Sequence, residues 1–145
     1  KFQIQDYDAV ALCKEVCYMA RMNNEKTGIQ IRFTSEVDSL SLHTDTTRLG
    51  HALLSTLTYP QEYEPEEQPE ERIIYFTVSR NGGMLQFRIL NSPLADENFT
   101  SQESIIRHEI NQLLLAYFGG IYQVNAQGTE GSEIVFAYPI ASESE

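Results

Sequence analysis

Four polar side chains, Arg48, His51, Ser55 and Tyr59, stand about one helical turn apart, so on a helix they would share one side. If that side faces a cleft, a guanidinium, an imidazole and two hydroxyls meet a ligand together. Six carboxylates fall between Glu62 and Glu71 with two prolines among them. Carboxylates hold a cation only when they converge, and a stretch this charged and this broken reads as a solvated loop rather than a metal site. Cys13 and Cys17 are four residues apart on a predicted helix, too far for good disulfide geometry. With no His or further Cys nearby, they read as small core residues of a reduced, intracellular chain. No Gly-x-Ser-x-Gly elbow is present, which disfavours a serine hydrolase.

The polar row belongs to the stretch from Asp45 to Tyr63. There Leu49, Ala52, Leu53, Thr56 and Leu57 recur at helical spacing, making a largely apolar stripe that should lie on a sheet. Asp45 or Thr46 can cap its start, and Pro60 marks its end. Ahead of it come a short edge strand from Phe2 to Gln5, a helix from Asp8 to Met22, an alternating strand from Ile29, and a short strand holding Leu40 and Leu42. Behind it, Ile74, Phe76 and Val78 are joined across Asn81-Gly82-Gly83 to Leu85, Phe87 and Ile89, a hairpin signature. A third helix from Ser101 to Phe118 is predicted with Ile105, Ile106, Ile110, Leu113, Leu114 and Tyr117 as its apolar side, stopped by Gly119-Gly120. A last hairpin pairs Ile121 to Val124 with Ile134 to Tyr138 across a turn from Asn125 to Gly131. This alternation of helices with strand pairs predicts a two-layer α/β sandwich: a mixed, mainly antiparallel sheet with about three helices on one face.

The chain's 145 residues, 41% of them hydrophobic, suit one domain over residues 1–145 with a substantial core. A formal charge of -11 repels nucleic acid and anionic lipid, so neither is an expected partner. No apolar run approaches the roughly 20 residues of a spanning helix. Because it opens on Lys1, the chain is expected to be a fragment of a larger protein.

The element order, with particular residues, resembles the ATP-binding domain of sensor histidine kinases, in the GHKL superfamily that includes gyrase and MutL. The resemblance covers nearly the whole chain. Its most specific part is the end, HEINQLLLAYFGGIYQVNAQGTEGSEIVFAYP, where Gly119, Gly120, Gly128, Gly131, Ser132, Ile134, Phe136 and Pro139 follow the family pattern. The helix from Arg48 resembles the family's N box, with Leu53, Leu54, Leu57 and Tyr63 on framework positions. His108-Glu109-Ile110 also looks like a phosphoacceptor box, but the glycine pair and hairpin that follow fit the last helix of the ATP-binding domain better.

The chemistry departs from the family. The magnesium-binding asparagine is implied to fall on Tyr59, with Ser55 at a second asparagine position, and the family lysine on Glu62. A phenol is a poor magnesium ligand, and a carboxylate repels phosphate. The adenine-binding aspartate falls on Asn91, with Pro93 where its motif has glycine. The glycine-rich phosphate box falls on Glu103 to His108, with Arg107 inside it and no glycine at all. The resemblance therefore implies a degenerate, non-catalytic histidine kinase ATPase-like module of bacterial two-component signalling. It would bind no metal or nucleotide, stay on the cytoplasmic side, and act through protein contacts with a kinase dimerisation domain or a response regulator. Two alternatives stand beside it. One is an active kinase domain using ATP and magnesium through Asn91 and Ser55, and the other is a switch resembling anti-sigma-factor kinases.

Overall fold

The computed structural model describes residues 1–25, 28–58, 72–95, 102–128 and 131–140. Strand β1 spans Gln5–Asp8, helix α1 Ala9–Asn23, β2 Ile29–Ser35, β3 Ser41–Thr44 and α2 Thr46–Leu57. Then come β4 (Arg72–Asn81), β5 (Met84–Leu90), a 3-10 turn (Pro93–Ala95), α3 (Gln102–Tyr117), β6 (Ile121–Gly128) and β7 (Gly131–Pro139).

Five strands form one sheet in the order β2-β4-β5-β7-β6, with β2 parallel to β4 and the other pairs antiparallel. Alternation decides which face is covered. Ile74, Phe76 and Val78 of β4 and Leu85, Phe87 and Ile89 of β5 are essentially inaccessible, joined by Ile134, Phe136 and Tyr138 of β7. The helices close over that face, with α2 packed against both α1 and α3. The expected two-layer α/β sandwich is what forms.

Three boundaries differ from the sequence reading. The first strand begins three residues later than expected and pairs with β3 in a separate two-stranded ribbon, Gln5 opposite Thr44. Capping fixes that placement. Asp8 accepts from Ala11 N at 2.9 Å to start α1 and from Leu40 N at 2.8 Å to hold the approach to β3. Helix α2 ends at Leu57 rather than at Pro60, Thr58 being already extended. In the last hairpin, β6 continues to Gly128 through a register shift between Asn125 and Gly128, so most of the expected turn is strand.

The third helix is the larger correction. Of its six predicted core residues only Leu114 is buried. Ile105, Ile106, Ile110, Leu113 and Tyr117 are exposed, and Ser104, Asn111 and Leu115 face inward instead. Two contacts set this rotation. Gly120 packs so closely on β7 that an added Cβ would meet Ala137 O at 2.3 Å, and Gly120 N donates to Leu115 O at 2.7 Å. About two turns before Leu115, His108 Nδ1 shares a hydrogen bond of 2.6 Å with the Tyr122 hydroxyl on β6. Anchored at both places, the helix presents its row of Ser104, His108, Asn111 and Leu115 to the sheet and its more apolar row to solvent.

Candidate functional site

Helix α2 is the floor of the candidate site. Its cap, Asp45, is buried and accepts from Arg48 N at 3.1 Å and from Gln3 N at 3.0 Å. The Arg48 side chain folds back over this cap. Its Nε donates to Asp45 Oδ2 at 3.1 Å, its Nη2 to the Lys1 carbonyl at 3.4 Å, and its guanidinium lies 5.1 Å from the centre of the Phe2 ring. Burial alone would push the Asp45 carboxyl up, yet these backbone donors and the guanidinium hold it below the ordinary aspartate value.

One turn further, His51 and Ala52 face α3, which contributes Arg107, Ile110, Asn111, Leu113 and Leu114. With Phe2 and Arg48 these enclose a groove of about 380 Å³. The polar row thus faces a cleft through Arg48 and His51. Ser55 is not among the residues lining it, and its hydroxyl donates to Ala52 O at 2.7 Å. Tyr59 and Glu62, the other predicted positions on this segment, lie outside the described residues.

The positions that follow β5 are engaged elsewhere. Asn91 takes a left-handed backbone, φ +67°, which asparagine tolerates better than most residues. Its backbone N–H donates to Ser132 O at 2.7 Å, and its exposed side-chain amide donates to Ile73 O at 3.0 Å. Next to it Ser92 is buried and donates to Thr56 O at 2.7 Å, fastening the 3-10 turn and its buried Pro93 onto the last turn of α2. Arg107 is exposed on α3, along the groove with Arg48 and His51. Ser55, Asn91 and Pro93 are therefore absent from the groove that Arg107 lines.

Sequence reasoning missed Phe2 and Asn111. Asn111 is 1% exposed, and its Nδ2 meets no partner with hydrogen-bond geometry. It lies close to Tyr122, but that hydroxyl is already bonded to His108. The one available signal was its position four residues after Arg107, on the same side of the helix. Burial pushes the Tyr122 hydroxyl up to about 12 and pulls the His108 imidazole below its ordinary value, a backbone hydrogen bond at Leu94 opposing the second shift. Both cysteines are buried in the core with their thiols raised by burial, Cys17 to about 11, which makes them poor nucleophiles. Among the described residues no cluster of His, Cys, Asp or Glu could hold a metal ion.

No protein-family pattern and no curated protein matches the sequence. Solved structures do. The catalytic domain of the histidine kinase ThkA, in a nucleotide-free form, superposes with a TM-score of 0.72 at 16% identity, over 96% of this chain and 99% of that one. The chain has the fold of a histidine kinase catalytic domain. Full-length ShkA, solved in complex with AMPPNP, matches over 100% of this chain and 33% of its own, at 18% identity and a TM-score of 0.72. The mycobacterial sensor histidine kinase MprB matches over 95% of this chain and 98% of its own, at 15% identity and a TM-score of 0.64.

Proposed function

We propose that this domain keeps the histidine kinase architecture, has given up Mg-nucleotide, and works as a protein-interaction module of bacterial two-component signalling. The observation that carries the reading is the engagement of the motif groups by the chain itself. The Ser55 hydroxyl is bonded within its own helix, and the Asn91 amide is turned to Ile73. The bonds in place use the serine proton and the amide nitrogen, and the oxygens left to accept stand outside the groove that Arg48 and Arg107 line, so they do not converge with those guanidinium groups on a bound nucleotide. Loss of the glycines from the phosphate box removes the close backbone approach that phosphates use.

Protein contacts are favoured by the surface. The exposed face of α3 carries Ile106, Ile110, Leu113 and Tyr117, a concentration of large apolar side chains that a monomeric surface rarely leaves uncovered. Kinase dimerisation domains and response regulators are the partner classes this reading supplies. No described helix is long and apolar enough to cross a membrane, and the proposed setting is the cytoplasmic side.

Titration calorimetry with ATP and magnesium tests the reading. The expected result is no saturable heat up to millimolar nucleotide. Micromolar binding would overturn it and restore the active-kinase alternative.

A further inference from the structure

The exposed side of α3 has an order that its lost role in the core does not explain. Ile106, Ile110, Leu113 and Tyr117 follow one another at intervals of four, three and four, the repeat with which one helix presents a seam to another. They are 47%, 50%, 71% and 60% exposed. The seam runs about 16 Å, at 1.5 Å per residue, which is longer than a small ligand and about the contact length of a partner helix. Leu113 stands on a ridge, lining both the 380 Å³ groove toward α2 and a second depression of about 610 Å³ toward β6. At the carboxyl end Phe2 stacks on Tyr117, ring centres 4.2 Å apart, and extends the apolar surface across the groove.

Charge selects the occupant. In a chain of net charge -11, the groove side of this seam carries Arg48 and Arg107 with His51 between them, while Glu109 stands on the β6 side. Arg48 is paired with Asp45, whereas Arg107 and His51 meet no ion-pair or hydrogen-bond partner among the described residues. A cation left unpaired beside an apolar seam is how helix pairs choose partners through their flanking positions. A second copy would bring the same net charge of -11 to the contact, which opposes self-association.

We propose that the α2–α3 groove and the Ile106–Tyr117 seam form the docking site for an amphipathic helix of a partner protein, with carboxylates flanking its apolar stripe to meet Arg107. This names the partner chemistry for the protein-contact reading above and rests on it.

The test uses two labelled synthetic helices with the same Leu/Ile seam, one flanked by Glu and the other by Lys, titrated into the full chain by fluorescence anisotropy. The Glu helix should bind at least tenfold tighter than the Lys helix, and more weakly as salt rises. Arg107→Glu, at an exposed position, should reverse that preference, and Leu113→Asp should abolish binding of both while circular dichroism stays unchanged. Equal binding of the two helices, or an unchanged preference in Arg107→Glu, would overturn the docking inference alone. So would a homodimer in sedimentation that Leu113→Asp dissolves, since the seam would then belong to a second copy. Micromolar Mg-ATP binding in the calorimetric titration would instead overturn the reading on which it rests.

Discussion

Helices α2 and α3 lie side by side on one sheet, and each carries a run of apolar residues, yet they use it in opposite ways. In α2 the leucines at 49, 53 and 57 are fully buried, while in α3 the isoleucine at 110 and the leucine at 113 are 50% and 71% exposed. The difference comes from what fixes each helix. In α2 the apolar stripe and the polar anchors agree: Asp45 caps its start, while Asn24 and Ser92 donate to Leu57 O and Thr56 O at its end, all with the leucines facing the core. Helix α3 is held by a glycine against β7 and by a histidine–tyrosine bond to β6, and those contacts turn its greasier face outward. An apolar stripe on a helix therefore locates either a core face or a docking face, and only tertiary anchors decide between them.

Substitutions can break or sharpen this contrast. The largest effect is expected from Leu53→Ala, which empties a fully buried position and should cost about 2–5 kcal/mol in urea unfolding. Gly120→Ala comes next. Its methyl would meet the Ala137 carbonyl and the Leu115 side chain, and forcing them apart should cost about 1–3 kcal/mol and loosen α3, read as faster hydrogen exchange along that helix.

The histidine anchor predicts a pH dependence. Burial lowers the folded His108 value below the ordinary 6.5, so the unfolded chain takes up the proton first as pH falls. The contribution of His108 should be level above about pH 6.5 and should diminish stability progressively below it. A His108→Gln variant, compared with the parent across pH 5–8, should lack this part of the slope. The smallest effect is expected from Leu113→Ala, within about 0.5 kcal/mol, because an exposed side chain contributes little to the fold. A loss as large as that of Leu53→Ala would show that the seam is core after all.

Much of this was legible in sequence. The alternations of β4 and β5 named their buried residues correctly, and the Leu49–Leu57 stripe named the buried side of α2, because in both cases hydrophobic period and burial coincide. The rotation of α3 was not legible. It depends on the packing of Gly120 against Ala137, too close for any Cβ, and on the pairing of His108 with Tyr122, contacts between segments that no local pattern encodes. For the site, the spacing put Arg48 and His51 on one side of the helix, but only the packing of α3 shows that this side borders a groove. The same spacing could not reveal that Ser55 bonds within its own helix, or that a left-handed Asn91 reaches Ile73.

The central claim is that this fold has been kept without its nucleotide, and thermal unfolding with and without 1 mM Mg-ATP tests it most directly. An unchanged Tm is the predicted result. Nucleotide held at about 10 µM would add about 2.7 kcal/mol and raise the Tm by roughly 5–10 °C, and a rise of that size would contradict the account.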